Sequence, residues 1–285
     1  MPILNVGVVG CGLMGSGIAQ VCAQKGYRTV VREINDEALK KGLERIRAFL
    51  GEGVKKGKVT QGDMDKTLSH LSGTTALADL KDSDIVIEAV VENLDEKKKV
   101  WAELDLICKP SAIFASNTSS ISITSQAAAT KRLDRFVGLH FMNPVPIMKL
   151  LEIVRPEITS AETHAAARAF GESLGKTTVT AKDTPGFIVN LLLVPYLCEA
   201  VRAVEHGLAT KEDIDESMVL GCGMPMGPIT LLDFVGLDTT LFIMDILFDQ
   251  FHDPRFAAPT LLRRMVAAGH VGKKVGRGFY EYSKK

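Results

Sequence analysis

The sequence predicts an α/β protein, an open and mostly parallel sheet over residues 1–183 followed by an all-helical segment over 184–285. Three observations carry this. An apolar, β-branched run at 3–9 passes straight into a glycine-rich loop and a helical pattern; strand-like and helix-like stretches alternate through 181; and after Asp183-Thr184-Pro185-Gly186 only helical periodicity remains. A chain of 285 residues also exceeds one ordinary core and suits two domains.

The first strand ends in Gly10-Cys11-Gly12-Leu13-Met14-Gly15. Between a strand and a helix, GxGxxG gives a tight turn at Gly10, close backbone approach to a pyrophosphate at Gly12 and helix–strand packing at Gly15. Leu13 and Met14 open the helix, whose N-terminal N–H groups face the phosphates. The fold is therefore expected to be of the Rossmann type. A second strand, 28–32, ends at Glu33, eighteen residues after Gly15. An acid there accepts hydrogen bonds from ribose hydroxyls and repels a 2′-phosphate, which favours NAD, while the adjacent Arg32 leaves NADP open.

A polar helix is expected over 36–50, then Lys55, Lys56 and Lys58 among glycines, then a helix over 62–70. Three lysines in four residues suit a solvated face better than a phosphate site on this evidence alone. The apolar run 84–90 is a buried strand with Glu88 inside it and Glu92 beyond its end. Because ligands of such sheets sit at the carboxyl ends of strands, Glu92 and Lys97 are candidate site residues, and Glu88 reads equally well as a structural acid. A helix over 95–108 and a strand over 112–115 lead to Ser116-Asn117-Thr118-Ser119-Ser120, which serves a turn or a small polar ligand. A short helix over 123–129 follows.

The stretch 137–154 reads VGLHFMNPVPIMKLLEIV. If its two apolar runs fold back antiparallel about Pro146, residues whose numbers sum to 292 face each other, pairing His140 with Glu152. A carboxylate on an imidazole fixes its tautomer and raises its basicity. A core histidine satisfied by a nearby acid has the same pattern, and this stretch alone leaves both readings open. A helix over 161–174 and a strand over 177–181 complete the first domain. Helices are then expected over 187–206, 211–221, 229–251 and 259–269, and their apolar faces suit a core or a subunit interface.

Thirty-four basic residues balance 34 acidic ones, so no electrostatic footprint for nucleic acid exists. No apolar stretch reaches membrane-spanning length, and the N-terminal run carries no charged region ahead of it, so a soluble, cytoplasmic protein is expected. The five cysteines are scattered without metal-ligand spacing, as suits a reducing compartment, and no metal is expected.

Taken together, GCGLMGSGIAQ at 10–20, EAVVENLDEKK at 88–98, SNTSSISI at 116–123, GLHFMNPVPIMKLLEIV at 138–154, DTPGFIVN at 183–190, GMPMGPITLLDFVGLD at 223–238 and GKKVGRGFYEY at 272–282 resemble the 3-hydroxyacyl-CoA dehydrogenase family over the whole chain, most closely its bacterial short forms. The resemblance implies NAD-dependent oxidation of (S)-3-hydroxyacyl-CoA, of short chain such as 3-hydroxybutyryl-CoA. It implies that His140 is the general base, oriented by Glu152, and that Ser119 and Asn190 bind the substrate's oxygen and the histidine. NAD contacts fall on Glu33, Glu92, Lys97, Asn117, Asn143 and Lys274, and Lys55, Lys56 and Lys58 fall in the CoA-contacting region. A homodimer through the helical domain is expected. Glu33 replaces a common aspartate and Cys11 a common small apolar residue. Competing readings are a dehydrogenase of free hydroxy or sugar acids and a crystallin-like structural protein, which would not need His140, Glu152, Ser119 and Asn190 all intact.

Overall fold

In a computed structural model, which describes residues 2–282, the chain divides between Thr184 and Pro185 into two units. The first opens with β1 (Asn5–Val9), α1 (Leu13–Gln24), β2 (Arg28–Arg32), α2 (Asp36–Lys55), α3 (Gln61–Ser69) and β3 (Leu71–Thr74). It continues with β4 (Ile85–Glu88), α4 (Leu94–Ile107), β5 (Ile113–Ser116), α5 (Ile123–Ala127), β6 (Phe136–Phe141), β7 (Leu150–Arg155), α6 (Ala161–Ser173) and β8 (Thr177–Lys182). The eight strands form one sheet in the order β3-β2-β1-β4-β5-β6-β7-β8. All neighbours are parallel except β6 and β7, so the last two strands run against the first six. The order reverses between β1 and β4, and the crevice at the carboxyl ends there is where an open sheet of this kind takes a ligand.

Burial explains the strands. β4 and β5 are covered on both faces and read as continuous apolar runs, each closed by one buried polar residue, Glu88 and Ser116. Between sheet and helices, Val6, Val8, Ile18, Val31, Ile85, Ile87, Val137 and Leu139 form one core. Below α4, Trp101 stacks on Phe114 at 5.0 Å and meets Phe136 edge-on at 4.7 Å. Such pairs add about 1 kcal/mol each beyond area burial.

Two expectations need correction, and one strand goes beyond them. β3, with the sequence LSGT, was not foreseen, because only one of its four residues is a large apolar one and it lies at the sheet edge. α2 does not stop near 50 but runs through Gly51 and Gly53 to Lys55, held at its start by Asn35, whose side chain accepts from Ala38 N at 2.8 Å. The helix expected over 229–251 is two, α9 (Pro228–Val235) and α10 (Leu237–Phe251), interrupted at Gly236 with φ +102°.

The second unit is helical, with α7 (Val189–Glu205) and α8 (Lys211–Cys222) before that pair and α11 (Thr260–Ala267) after it. Its core gathers Leu197, Val201, Ile229, Leu232, Met244, Leu247 and Phe256. Buried Asp233 pins the C-terminal segment, accepting from Phe279 N at 2.9 Å, Tyr280 N at 2.8 Å and the Tyr282 hydroxyl at 3.0 Å. Among the described residues no helix is long and apolar enough to cross a membrane.

In the first unit Asp183, just beyond β8, grips the start of α5. Its carboxylate accepts from Ile123 N and Thr124 N, both at 2.8 Å, and from the hydroxyls of Ser122 at 2.9 Å and Thr124 at 2.7 Å. Replacing Asp183 with Ala is expected to cost about 2 kcal/mol, since charge-assisted bonds are lost and helix-start N–H groups go unpaired. Hydrogen exchange should show protection falling first at 123–127 while the Asp233-pinned segment is unchanged; unaltered protection at 123–127 would contradict the assignment.

Candidate active site

The glycine loop is shaped by what side chains would obstruct. A Cβ on Gly15 would lie 1.8 Å from the Gly10 carbonyl oxygen, and Gly10 adopts φ +97° with a built Cβ 2.5 Å from the Ala89 oxygen. A Cβ on Gly12 would meet nothing within 4 Å, so the approach to the loop is open there. α1 starts at Leu13 with no side-chain cap on Gly12, leaving its first N–H groups for an anion. Leu13 is exposed and Met14 half-buried at this helix start. The residues present therefore fit a dinucleotide pyrophosphate.

Glu33, next to the end of β2, faces this loop. One carboxylate oxygen accepts from Cys11 N at 2.7 Å and the other from Ile34 N at 2.7 Å, and each keeps a lone pair for a ribose hydroxyl. Arg32 turns to the β3 side, where its Nε donates to the Thr75 carbonyl at 3.2 Å.

At the carboxyl ends of β4, β5 and β6 the polar residues converge. His140, fifth in β6, lies opposite Glu152, third in β7, and every pair of that ladder sums to 292. His140 Nδ1 is 2.5 Å from Glu152 Oε2, and His140 Nε2 is 3.1 Å from Ser119 Oγ. His140 is 4% exposed and Glu152 fully buried. A carboxylate only accepts, so the ring proton sits on Nδ1, and Nε2 is the nitrogen turned toward Ser119.

Ser119 belongs to the loop after β5, which two acids hold. Glu88 accepts from the Ser116 hydroxyl at 2.7 Å and from Val90 N at 2.7 Å. Glu92 accepts from the Thr118 hydroxyl, from Ser119 N at 3.1 Å and from the Ser120 hydroxyl at 3.4 Å. Lys97 Nζ lies between them, 2.6 Å from Glu88 and 3.2 Å from Glu92. Asn117 ties the loop to the histidine strand, its side-chain oxygen accepting from Phe141 N at 3.0 Å.

His140, Glu152, Ser119, Asn117, Glu92 and Lys97 thus lie within one hydrogen-bonded set. Asn143 is exposed in the turn joining β6 to β7. Lys55, Lys56 and Lys58 are also exposed, at and beyond the end of α2, and Lys55 pairs with Glu52 at 2.8 Å. Asn190 and Lys274 belong to the second unit, Asn190 in the first turn of α7 and Lys274 paired with Asp238 at 2.6 Å. The sequence reads Glu88 equally well as a structural acid, and the structure joins it to this set through Ser116 and Lys97. The signal that would have joined it to the site is the spacing of Lys97, Trp101 and Leu104, which lines Lys97 up with the buried stripe of α4. Lys176 was missed altogether: buried, it donates to the carbonyls of Val145 at 2.5 Å and Met148 at 2.7 Å and so fixes the β6–β7 turn. Among the described residues no group of three His, Cys, Asp or Glu side chains gathers as a metal site requires.

Comparison with known proteins agrees with this geometry. Residues 5–184 match the family model described as 3-hydroxyacyl-CoA dehydrogenase, NAD binding domain, and 186–282 match the C-terminal domain of the same family. A 3-hydroxybutyryl-CoA dehydrogenase of Mycobacterium tuberculosis is 49% identical over 282 residues, covering 98% of this chain and 99% of the relative. The human mitochondrial hydroxyacyl-coenzyme A dehydrogenase is 48% identical, covering 98% of this chain and 91% of its own length. The crystal structure of (S)-3-hydroxybutyryl-CoA dehydrogenase from Ralstonia eutropha superposes with a TM-score of 0.95 at 49% identity, covering 99% of this chain and all of that one. With both domains matched in order and this identity sustained end to end, the chain belongs to the 3-hydroxyacyl-CoA dehydrogenase family of NAD-binding oxidoreductases.

Proposed function

We propose that this protein interconverts (S)-3-hydroxyacyl-CoA and 3-oxoacyl-CoA of short chain, 3-hydroxybutyryl-CoA being the expected substrate, with NAD as the preferred dinucleotide. The observation that carries the reading is His140, with Nδ1 committed to Glu152 at 2.5 Å and Nε2 turned to Ser119 at 3.1 Å. Bound NAD supplies the hydride acceptor for C3 of the substrate. His140 Nε2 removes the hydroxyl proton in the oxidative direction, and Nε2–H returns it to the nascent alkoxide in the reductive one. Glu152 keeps the other ring proton on Nδ1 and holds the ring in place. Ser119 and Asn190 hydrogen-bond the substrate oxygen as charge develops there, worth about 2–4 kcal/mol per donor in comparable oxyanion sites.

Glu33 supports NAD over NADP, because its carboxylate repels a 2′-phosphate, and Arg32, engaged with Thr75, supports it from the other side. Glu92, Lys97, Asn117, Asn143 and Lys274 complete the proposed dinucleotide contacts, with the loop residues Gly10, Gly12, Leu13, Met14 and Gly15. The exposed Lys55, Lys56 and Lys58 are the proposed contacts for CoA phosphates. The helical unit exposes Leu192, Leu220, Phe242 and Phe248, which supports a homodimer through that unit. A soluble, cytoplasmic enzyme is the setting this reading implies.

His140→Ala is expected to lower kcat at least about 1,000-fold while NADH binding, followed by fluorescence, is kept; near-normal kcat would refute the base assignment. For Glu152→Gln, kcat should drop by about 100-fold or more at little-changed KM, and a change confined to KM would contradict an orienting role. An absorbance assay should show NADH oxidation with acetoacetyl-CoA but not with acetoacetate, and kcat/KM at least about tenfold lower with NADPH. Turnover of the free acid alone would favour the hydroxy-acid reading instead. Sedimentation at micromolar protein should give twice the 30.9 kDa chain mass, and a monomer would overturn the dimer.

A further inference from the structure

Three lysines of α2 are paired within the helix, Lys40 with Glu44 at 4.0 Å, Lys41 with Glu37 at 2.7 Å and Lys55 with Glu52 at 2.8 Å. Arg45 has no acid at helical spacing, since the residues three and four away are Lys41, Gly42, Ala48 and Phe49. Among the described residues no carboxylate pairs with its guanidinium. Its Nη1 donates instead to the Cys11 carbonyl at 3.2 Å and to the Ser16 hydroxyl oxygen at 3.4 Å, the first in the glycine loop and the second in the opening turn of α1. Nε and Nη2 have no acceptor among the described residues, and the residue is exposed. α2 comes this close to the loop because of one glycine. A Cβ on Gly42, just under one turn before Arg45, would lie 2.4 Å from that same Cys11 carbonyl oxygen and 2.2 Å from the Cys11 sulfur, so any side chain there would lift α2, and Arg45 with it, off the loop.

The charge balance at the loop gives this guanidinium a use. A dinucleotide brings a dianionic diphosphate, against which the start of α1 sets a partial charge of only about +0.5. Glu33 works the other way, its carboxylate accepting from Cys11 N at 2.7 Å and so placing a full negative charge on the same loop. Arg32 does not offset it, being engaged with the Thr75 carbonyl at 3.2 Å. Arg45 does, and its charge is felt inside the loop, where it opposes the burial and the Glu33 carboxylate that push the Cys11 thiol up.

We propose that Arg45 is a ligand of the dinucleotide's diphosphate, anchored on the loop through Nη1 and with its remaining N–H groups available to phosphate oxygens. The inference rests on the reading of the glycine loop as the NAD site given above. A guanidinium suits the role, because its planar fork binds phosphate oxygens in pairs while one arm stays on a carbonyl. Two roles for Arg45 move different quantities. A phosphate ligand on an exposed side chain strengthens binding of phosphate-bearing ligands and is screened by salt, whereas a residue that only shapes the loop acts on every ligand of the site and at every ionic strength.

The test is Arg45→Gln, which removes the charge from an exposed side chain and keeps hydrogen-bond donors. NADH binding is followed by fluorescence titration at about 50 and about 200 mM salt, and the dissociation constant is expected to rise about tenfold at the lower salt and about threefold at the higher. Displacement of NADH by ADP-ribose, which keeps the diphosphate, should weaken by the same factor as NADH binding, while displacement by adenosine, which has no phosphate, should stay within about twofold of the parent. Arg45→Lys, which keeps the charge without the fork, should bind NADH within about threefold of the parent. An unchanged dissociation constant in Arg45→Gln overturns the proposal, as does a rise of equal size at both salts, a loss shared by adenosine, or a lysine variant as weak as the glutamine one. A rise confined to the KM for acetoacetyl-CoA also overturns it and assigns Arg45 to the substrate's phosphates. If the parent itself binds no NADH, the reading of the glycine loop fails and this inference with it, a result distinct from a parent and a variant that bind equally well.

Discussion

The pairing of β6 with β7 is the constraint on which the site depends. Six strands run one way, and the reversal at β7 brings a new strand into the carboxyl edge of the sheet at its beginning instead of its end. Glu152, near the start of β7, thereby meets His140, near the end of β6. A parallel neighbour entering from the opposite edge would carry its first residues away from the ligand crevice. Register is equally strict, because a slip of one residue would turn the carboxylate to the other face of the sheet. The turn that fixes this register is held by Lys176 through the carbonyls of Val145 and Met148, and by Val145 packing against Gly17 of α1, where a Cβ would lie only 3.0 Å away. The glycine-loop helix and the histidine hairpin are thus packed as one piece.

Around that hairpin the interior is unusually ionic. Glu88 and Glu152 are fully buried, Lys97 is 1% exposed and His140 4%. Burying charges costs several kcal/mol per ion unless geometry and hydrogen bonds repay it, and well-packed apolar replacements often serve stability as well. Stability therefore does not account for these groups. Their common property is location, along the edge of the sheet where β4, β5 and β6 end and β7 begins. The arrangement accepts a cost in folding free energy to hold a serine and an imidazole in one relation.

Much of this was legible in the sequence because it rests on short-range rules. The glycine loop declares itself by its place between strand and helix, and the residue sum of 292 follows once Pro146 is taken as the fold-back point. What escaped depends on tertiary context. Lys97 is a candidate by its place after β4, but its burial does not show in the charged run around it, where only the helical spacing to Trp101 and Leu104 separates it from its neighbours. β3 has too little apolar character to announce a strand and exists because β2 offers it an edge. The helix expected to end at 50 continues through Gly51 and Gly53, whereas Gly236, with its positive φ, does interrupt the apolar run. A glycine's meaning lies in its dihedral angle, which composition does not reveal. Lys176 carried no local signal at all, since its partners are main-chain carbonyls 28 and 31 residues away.

The two departures from the family pattern near the cofactor loop, Glu33 and Cys11, turn out to be physically coupled. Glu33 accepts from the backbone N–H of Cys11 at 2.7 Å, so the acid at the end of β2 holds the glycine loop. Cys11 in turn packs its sulfur against α2 at Gly42, where a built Cβ would come within 2.2 Å of it. Burial, helped by the Glu33 carboxylate and opposed by Arg45, pushes the Cys11 thiol up to about 11. It therefore stays neutral near pH 7 and acts as a small apolar wedge, not as a nucleophile. Arg45 completes the arrangement by donating to the Cys11 carbonyl at 3.2 Å. One residue of the loop is thus held at its N–H by β2's acid, at its carbonyl by α2's arginine and at its side chain by α2's glycine. With the loop so restrained, the reach of glutamate serves to hold Cys11 N and Ile34 N at once, a span that an aspartate, one methylene shorter, would meet only by shifting the loop.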